Sequence, residues 1–272
     1  VAIRIARDGP TSRRALVLGL VTAGGMLCHT RGLFLVLFAG AALLIGWLRF
    51  RSSLREVATT SLLTGLPAAA GGAAMILWGR AHAGTALGEG SPVAGFGLRQ
   101  FLTHVWQFYL PRLDSMAPRI GPDYGYRQVW VESLFGQYGS LDVYLPAWIY
   151  TLLQLGMGIA FLWALMLLAR RLEVARVNWA PLAACAAFTL TLMGMLHVVS
   201  YQALSGSEGG NGDPVITGRY LFPLLPLMAA LLVWLLSSLP PRVRPAVSGA
   251  AVAVAAALSV SALGISGVRF FA

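Results

Sequence analysis

Lysine is absent from all 272 residues, and only 11% of the chain is charged. A soluble globular domain carries about 25% charged and about 45–50% apolar residues. Here the hydrophobic share is 57%, with a mean hydropathy of +0.72. So large a deficit of charge excludes a water-soluble globule, a nucleic-acid binder and a disordered chain. The chain reads as an integral membrane protein. Its net charge of +10 is carried by arginine alone, and in a membrane protein the useful question is on which side those arginines sit.

Cysteine is nearly missing too: Cys28 and Cys185 are the only two. That excludes a disulfide framework and a cysteine-run metal site. On the topology below their depths differ by about 20 Å at about 1.5 Å per residue, beyond the roughly 7 Å reach of a disulfide. Both read as small core residues. GxSxG, HExxH and P-loop strings are absent. The four histidines, His29, His82, His104 and His197, show no ligand spacing, so neither a metal nor a cofactor is expected. His197 lies in an apolar stretch and reads as a hydrogen-bonded packing residue. No solenoid-type repeat occurs.

Long apolar runs are what the chain does have. A hydrocarbon core of about 30 Å takes roughly 17–25 apolar residues in a helix. The runs that qualify are Ala15–Thr30, Gly32–Leu48, Ala58–Trp78, Pro146–Leu168, Ala180–Ala203, Gly218–Leu236 and Ala246–Gly267. None alternates with the period of two that marks a transmembrane barrel. The expected fold is an all-α polytopic transmembrane bundle of about seven spans, with residues 1–272 as a single transmembrane domain. Val1–Arg14 is polar and basic, without the charged, apolar and small-residue order of a signal peptide. The chain therefore reads as the C-terminal part of a longer protein.

Arginine placement predicts sidedness. The connections holding Arg4, Arg7, Arg13, Arg14, Arg49, Arg51, Arg55, Arg170, Arg171, Arg176, Arg242 and Arg244 contain only Asp8, Glu56 and Glu173 as acids. The opposite connections are nearly balanced. The first set is expected in the cytoplasm, with the N-terminus inside and the C-terminus outside a multi-pass cell-membrane protein. Residues 79–145 then form a large extracytoplasmic loop, and Leu204–Thr217 a smaller one. Within the large loop, Gly84–Gly97 reads as a flexible linker. Leu98–Leu110 reads as an interfacial amphipathic helix stopped by Pro111. Leu98, Phe101, Leu102, Val105, Trp106 and Tyr109 share one face, and Gln100, Thr103, His104 and Gln107 the other. Arg99 and His104 are expected close to headgroup or donor phosphates.

Two places at the outer boundary could carry chemistry. Cys28-His29-Thr30-Arg31-Gly32 is the turn between the first two spans, and its Arg31 runs against the positive-inside trend. A snorkelling arginine accounts for it equally well. Thr217-Gly218-Arg219-Tyr220-Leu221-Phe222-Pro223-Leu224-Leu225-Pro226 opens a span with two prolines three residues apart. They remove two backbone donors and favour a broken start, the kind of backbone that lines a cavity at membrane depth. A guanidinium there has the fork that suits a phosphate or diphosphate. The substrate-binding candidates are Arg31, Arg219, Tyr220 and His29.

At these residues the chain resembles a known group. The Gly-Arg-Tyr-x-x-Pro string at Gly218–Pro223 is similar to the GRY-type motif of an uncharacterised bacterial membrane family in the GT-C glycosyltransferase clan. The string Glu132-Ser-Leu-Phe-Gly-Gln-Tyr-Gly-Ser-Leu-Asp-Val-Tyr-Leu-Pro-Ala-Trp-Ile-Tyr150 resembles that family's aromatic-Gly segment and its Leu-Pro-x-Trp lead into a helix. His29-Thr30-Arg31-Gly32 resembles its Thr-Lys-x-Gly turn, with Arg31 in the Lys place. The resemblance implies a membrane transferase that takes a sugar from a polyprenyl-phosphate donor and passes it to an extracytoplasmic acceptor. It also implies membrane lipids as partners, and no nucleic acid. In that clan the catalytic carboxylate lies in an early outer loop, expected upstream of this chain. Asp114, Asp123 and Glu132 match no family catalytic position. They read as solvated charges facing Arg112, Arg119 and Arg127, and the catalytic residue stays unknown. An O-antigen ligase or polymerase, or a transporter or flippase, is the alternative. A transporter would need ionisable groups at mid-span and mirrored halves, and the sequence shows almost none of the former and none of the latter.

Overall fold

The computed structural model describes residues 1–28, 30–83, 97–110, 113, 116, 125–135, 145–170, 179–205 and 218–271. Among them every regular element is helical, and the all-α polytopic architecture is the one the hydropathy pattern predicts. The helices are α1 (Ala2–Asp8), α2 (Ser12–Cys28), α3 (Phe34–Phe50), α4 (Leu54–Ala83), α5 (Leu98–Tyr109), α6 (Tyr126–Phe135), α7 (Ala147–Arg170), α8 (Trp179–Ser205), α9 (Leu225–Ser237) and α10 (Arg244–Phe271). Short 3-10 helices at Thr30–Leu33 and Gly218–Leu224 lead into α3 and α9. Five segments are long and apolar enough to cross a membrane: Leu54–Ala81, Ala147–Arg170, Trp179–Gln202, Tyr220–Ser237 and Arg244–Ser261. Helices α2 and α3, of 17 residues each, stand at the lower limit for a span. Their apolar side chains leave this a multi-pass membrane protein in contact with lipid.

The chain forms two compact units, Val1–Phe96 with Leu172–Pro214, and Gly97–Arg171 with Val215–Ala272. In the first, α2 and α4 meet along a seam of small residues. A Cβ on Gly19 would lie 2.6 Å from the Thr64 carbonyl oxygen, and one on Gly71 would lie 2.8 Å from Ala23 Cα. The backbones approach that closely because nothing larger intervenes, which is how helices pack where hydrophobicity supplies no drive between them. The Thr64 hydroxyl crosses the seam to donate to the Ala15 carbonyl at 3.0 Å. Helix α4 opens on a capping box: Ser53 N–H donates to Glu56 Oε2 at 2.8 Å, and Glu56 N–H returns to Ser53 Oγ at 3.4 Å. Phe34 and Phe38 of α3 meet Phe188 of α8 edge-on, at 5.7 and 4.9 Å between ring centres.

Two expectations are corrected in this unit. Val1–Arg14 is not simply a polar basic segment, because α1 folds within it and buries Ala2, Ile5 and Ala6. These three share one helical face at i, i+3 and i+4, hidden in composition by the arginines around them. Ile5 joins Leu18, Ala39, Ala42 and Leu43 in a core cluster, and Ala6 packs with Ala180 and Ala184. Arg7 stays exposed and bonds Asp8 at 2.7 Å, holding that carboxyl below its ordinary range. Cys28 is not a core residue either: it is exposed. The inward face of α2 carries Leu18, Gly19, Thr22, Ala23 and Met26, and a residue two beyond Met26 points about 200° away from it. Cys185 is half-buried, and both thiols are free.

Candidate functional site

In the second unit, α5 and α6 form a small aromatic platform. The stretch 111–145 holds a helix, α6, that its scattered acids and aromatics conceal from a hydropathy reading. Helix α5 spans Leu98–Tyr109, and Leu110 is extended (φ −123, ψ 159), as the residue before a proline must be. Phe108 stacks on Tyr126 at 5.1 Å and leans on Trp130 at 4.6 Å. His104 meets both Phe108 and Tyr126 edge-on, at 5.2 and 5.1 Å. Tyr109, half of it still exposed, approaches the Trp130 edge at 6.1 Å, and the desolvation on its packed side pushes its phenol up to about 12.

The orientation of α5 is the reverse of what a water-facing helix would adopt. His104 and Phe108 are 4% and 3% exposed, whereas Leu98 and Leu102 are 64% and 57% exposed. Gln107 is buried as well. His104 is therefore part of the aromatic packing rather than a group presented to headgroups, and only Arg99 keeps the exposure expected of both.

Against α6 lies the start of the Gly-Arg-Tyr segment. Gly218 N–H donates to Ser133 Oγ at 2.6 Å, and that hydroxyl donates in turn to the Val129 carbonyl one turn back. A Cβ on residue 218 would stand 2.5 Å from both the Trp130 carbonyl oxygen and Leu134 Cα, and would also press on Leu134 N. All three are backbone atoms of a helix and cannot move aside, so only glycine fits. The segment then runs as a 3-10 helix through Pro223, and Pro226 falls in the first turn of α9. The broken opening expected from the two prolines is present, and its cause is the two missing donors. Leu221 is buried beneath the turn and Tyr220 is half-buried.

Glu132, the residue before Ser133, corrects another expectation. It is 6% exposed, so it is not a solvated surface charge, and no ion pair or hydrogen bond of its carboxylate occurs among the described residues. No sequence signal marks it. Asp114 and Asp123 lie outside the described residues. So do all of His29 and the side chains of Arg31 and Arg219; Arg31 belongs to the first unit and Arg219 to the second. His197 is buried in α8. Among the described residues no cluster of three His, Cys, Asp or Glu could hold a metal.

Beside this junction, α7, α9 and α10 enclose an apolar groove of about 1020 Å³. Phe135 of α6 lines it together with Trp148, Leu152 and Gly156 of α7 and Leu225 and Leu232 of α9. Along α7 it runs from Trp148 to Phe161, about 20 Å at about 1.5 Å per residue. A volume at the top of the roughly 300–1,000 Å³ range of small-molecule pockets, walled by span residues, suits a hydrocarbon chain.

A family model described as a predicted membrane protein (DUF2142) matches residues 1–228. No curated protein and no solved structure matches the chain.

Proposed function

We propose that this chain, which belongs to the DUF2142 family of predicted membrane proteins, binds a polyprenyl-phosphate-linked sugar and serves its transfer to an extracytoplasmic acceptor. The observation that carries the reading is the seat of the Gly-Arg-Tyr segment. Gly218 is clamped on α6 through Ser133, and the next residue is an arginine at the opening of a proline-broken span. Backbone order bought at a site with no sequence constraint other than glycine is what an arginine needs if it is to meet a ligand in one geometry. The apolar groove of α7, α9 and α10 begins at Phe135 and Trp148, so a lipid tail there would bring its phosphate to the level of Arg219.

In this reading Arg219 binds the donor phosphate, with Tyr220 flanking it. The acceptor oxygen attacks the anomeric carbon, the bond from that carbon to the phosphate oxygen breaks, and the phosphate leaves with the electron pair. Guanidinium hydrogen bonds stabilise the charge it gains. The base that takes the acceptor's proton is unassigned. The proposed orientation has the N-terminus in the cytoplasm and α5 on the opposite side, from the arginine distribution.

Binding of polyprenyl phosphate to the detergent-solubilised protein tests the proposal. Arg219→Ala is expected to weaken it by roughly 10- to 150-fold, the value of about 1.5–3 kcal/mol for a charge-assisted bond. Arg219→Lys recovers only part, since an ammonium lacks the bidentate fork. Unchanged affinity in Arg219→Ala refutes the assignment.

A further inference from the structure

Helix α5 turns its polar side inward and leaves Leu98, Leu102, Trp106 and Tyr109 exposed. In water that arrangement would forgo about 25 cal/mol for each Å² of apolar surface left uncovered. Rotating the helix to hide the row would drag His104, Gln107 and Phe108 out of their packing. The row is therefore built to meet an apolar phase, and for a multi-pass membrane protein that phase is lipid.

The surface is also shaped. Leu98, Arg99, Leu102, Thr103, Trp106 and Met116 line a shallow, open cup of about 330 Å³. Its walls are apolar apart from Arg99 and Thr103, which neighbour each other on consecutive turns of α5. Arg99 is exposed and makes no ion pair among the described residues. An apolar trough with a guanidinium on its edge, unpaired among the described residues, complements a molecule that is a hydrocarbon chain at one end and a phosphate at the other.

We propose that this cup seats an anionic phospholipid of the leaflet against which α5 lies, with the lipid phosphate on Arg99 and one acyl chain along Leu98, Leu102 and Trp106. The site docks α5 to the membrane as an interfacial helix and fixes the depth of the α5–α6 platform. It does not depend on a sugar donor, and its failure would leave the reading of Arg219 untouched.

The full chain reconstituted in phosphatidylcholine nanodiscs, with or without phosphatidylglycerol, provides the test. Arg99 and Leu102 are exposed, so Arg99→Gln and Leu102→Asn are expected to keep the wild-type melting temperature. Retained lipid is then counted by native mass spectrometry. Wild type should prefer phosphatidylglycerol over phosphatidylcholine by about 5-fold more than Arg99→Gln does, the equivalent of about 1 kcal/mol per cation at a membrane surface. Leu102→Asn should lose retention of both lipids. A spin label at Leu102→Cys, in a Cys28→Ala and Cys185→Ala background, should collide with oxygen and be shielded from a water-soluble nickel chelate. The proposal is overturned by any of four results: a nickel-accessible label, a label shielded from both reagents (a protein cover), an unchanged lipid preference in Arg99→Gln, or displacement of phosphatidylglycerol from the cup by polyprenyl phosphate.

Discussion

Replacing Gly218 by alanine perturbs the candidate site without touching any group proposed to bind substrate. The added methyl would stand 2.5 Å from the Trp130 carbonyl oxygen and from Leu134 Cα, where contact between carbon atoms is normally about 3.5–4.0 Å. Since those atoms belong to helical backbone, the 3-10 segment must lift from α6 by about 1 Å. The 2.6 Å bond from Gly218 N–H to Ser133 Oγ then stretches beyond the range of a good hydrogen bond. Overpacking costs about 1–3 kcal/mol, and the lost bond about 0.5–1.5 kcal/mol. The expected total is about 1.5–4.5 kcal/mol of stability. Ser133→Ala removes the same bond with no clash and should cost less than Gly218→Ala. Equilibrium unfolding in mixed micelles, followed by circular dichroism, gives both values. If Gly218→Ala lies within about 0.5 kcal/mol of wild type, as for an ordinary surface change, the segment is not seated on α6 and the geometric basis of the site fails.

Gly19→Ala should destabilise the α2–α4 seam by about 1–3 kcal/mol, because its methyl meets the Thr64 carbonyl at 2.6 Å. Gly65→Ala in the same helix pair meets nothing within 4 Å and should stabilise by about 0.5–1 kcal/mol through helix propensity; thermal unfolding of the two variants separates the seam from the free face. The Tyr109 phenol, pushed up to about 12, is expected to stay neutral in the folded protein after an unfolded phenol has titrated near about 10. Its folded state holds the proton more tightly, so the stability it contributes is intact below about pH 10 and lost as pH rises from about 10 to about 12. The near-ultraviolet difference titration of wild type against Tyr109→Phe reads this directly, and an ordinary phenol there would contradict the packing against Trp130. Under the proposed orientation, Arg55→Cys in a background without Cys28 and Cys185 should resist an impermeant thiol reagent applied from outside the cell and react once the membrane is opened.

Much of the architecture is legible because a bilayer imposes simple rules on a chain. Unbroken apolar runs can satisfy their backbone only as helices, so the all-α class and the positions of α2, α3, α4, α7, α8, α9 and α10 follow from hydropathy. Pro223 and Pro226 announce the 3-10 opening before α9, since neither residue can donate to a helix ladder. The α5 helix is legible from its 3.6-residue periodicity, and its end from Pro111. Helix α6 is not: its ten residues mix Tyr, Trp, Gln, Glu and Ser without a clean stripe, and it is held by Phe108 and the Gly-Arg-Tyr segment from elsewhere in the chain. Ile5 escapes notice for a similar reason, as three small or aliphatic residues among arginines acquire meaning only when α3 and α8 cover them.

The sequence by itself determined that this protein is helical in a membrane, where its long apolar helices run and its proline-broken span opens, and that α5 has two unlike faces. Only the tertiary structure decided which of those faces turns inward, that residue 218 must be glycine, and that Glu132 is buried rather than solvated. Periodicity reports that two sides of a helix differ, but in a membrane protein an apolar side can be satisfied equally by the protein core or by lipid. The choice is made by the partners: the aromatic rings of α6 accept His104 and Phe108, and Leu98 and Leu102 of α5 are left exposed.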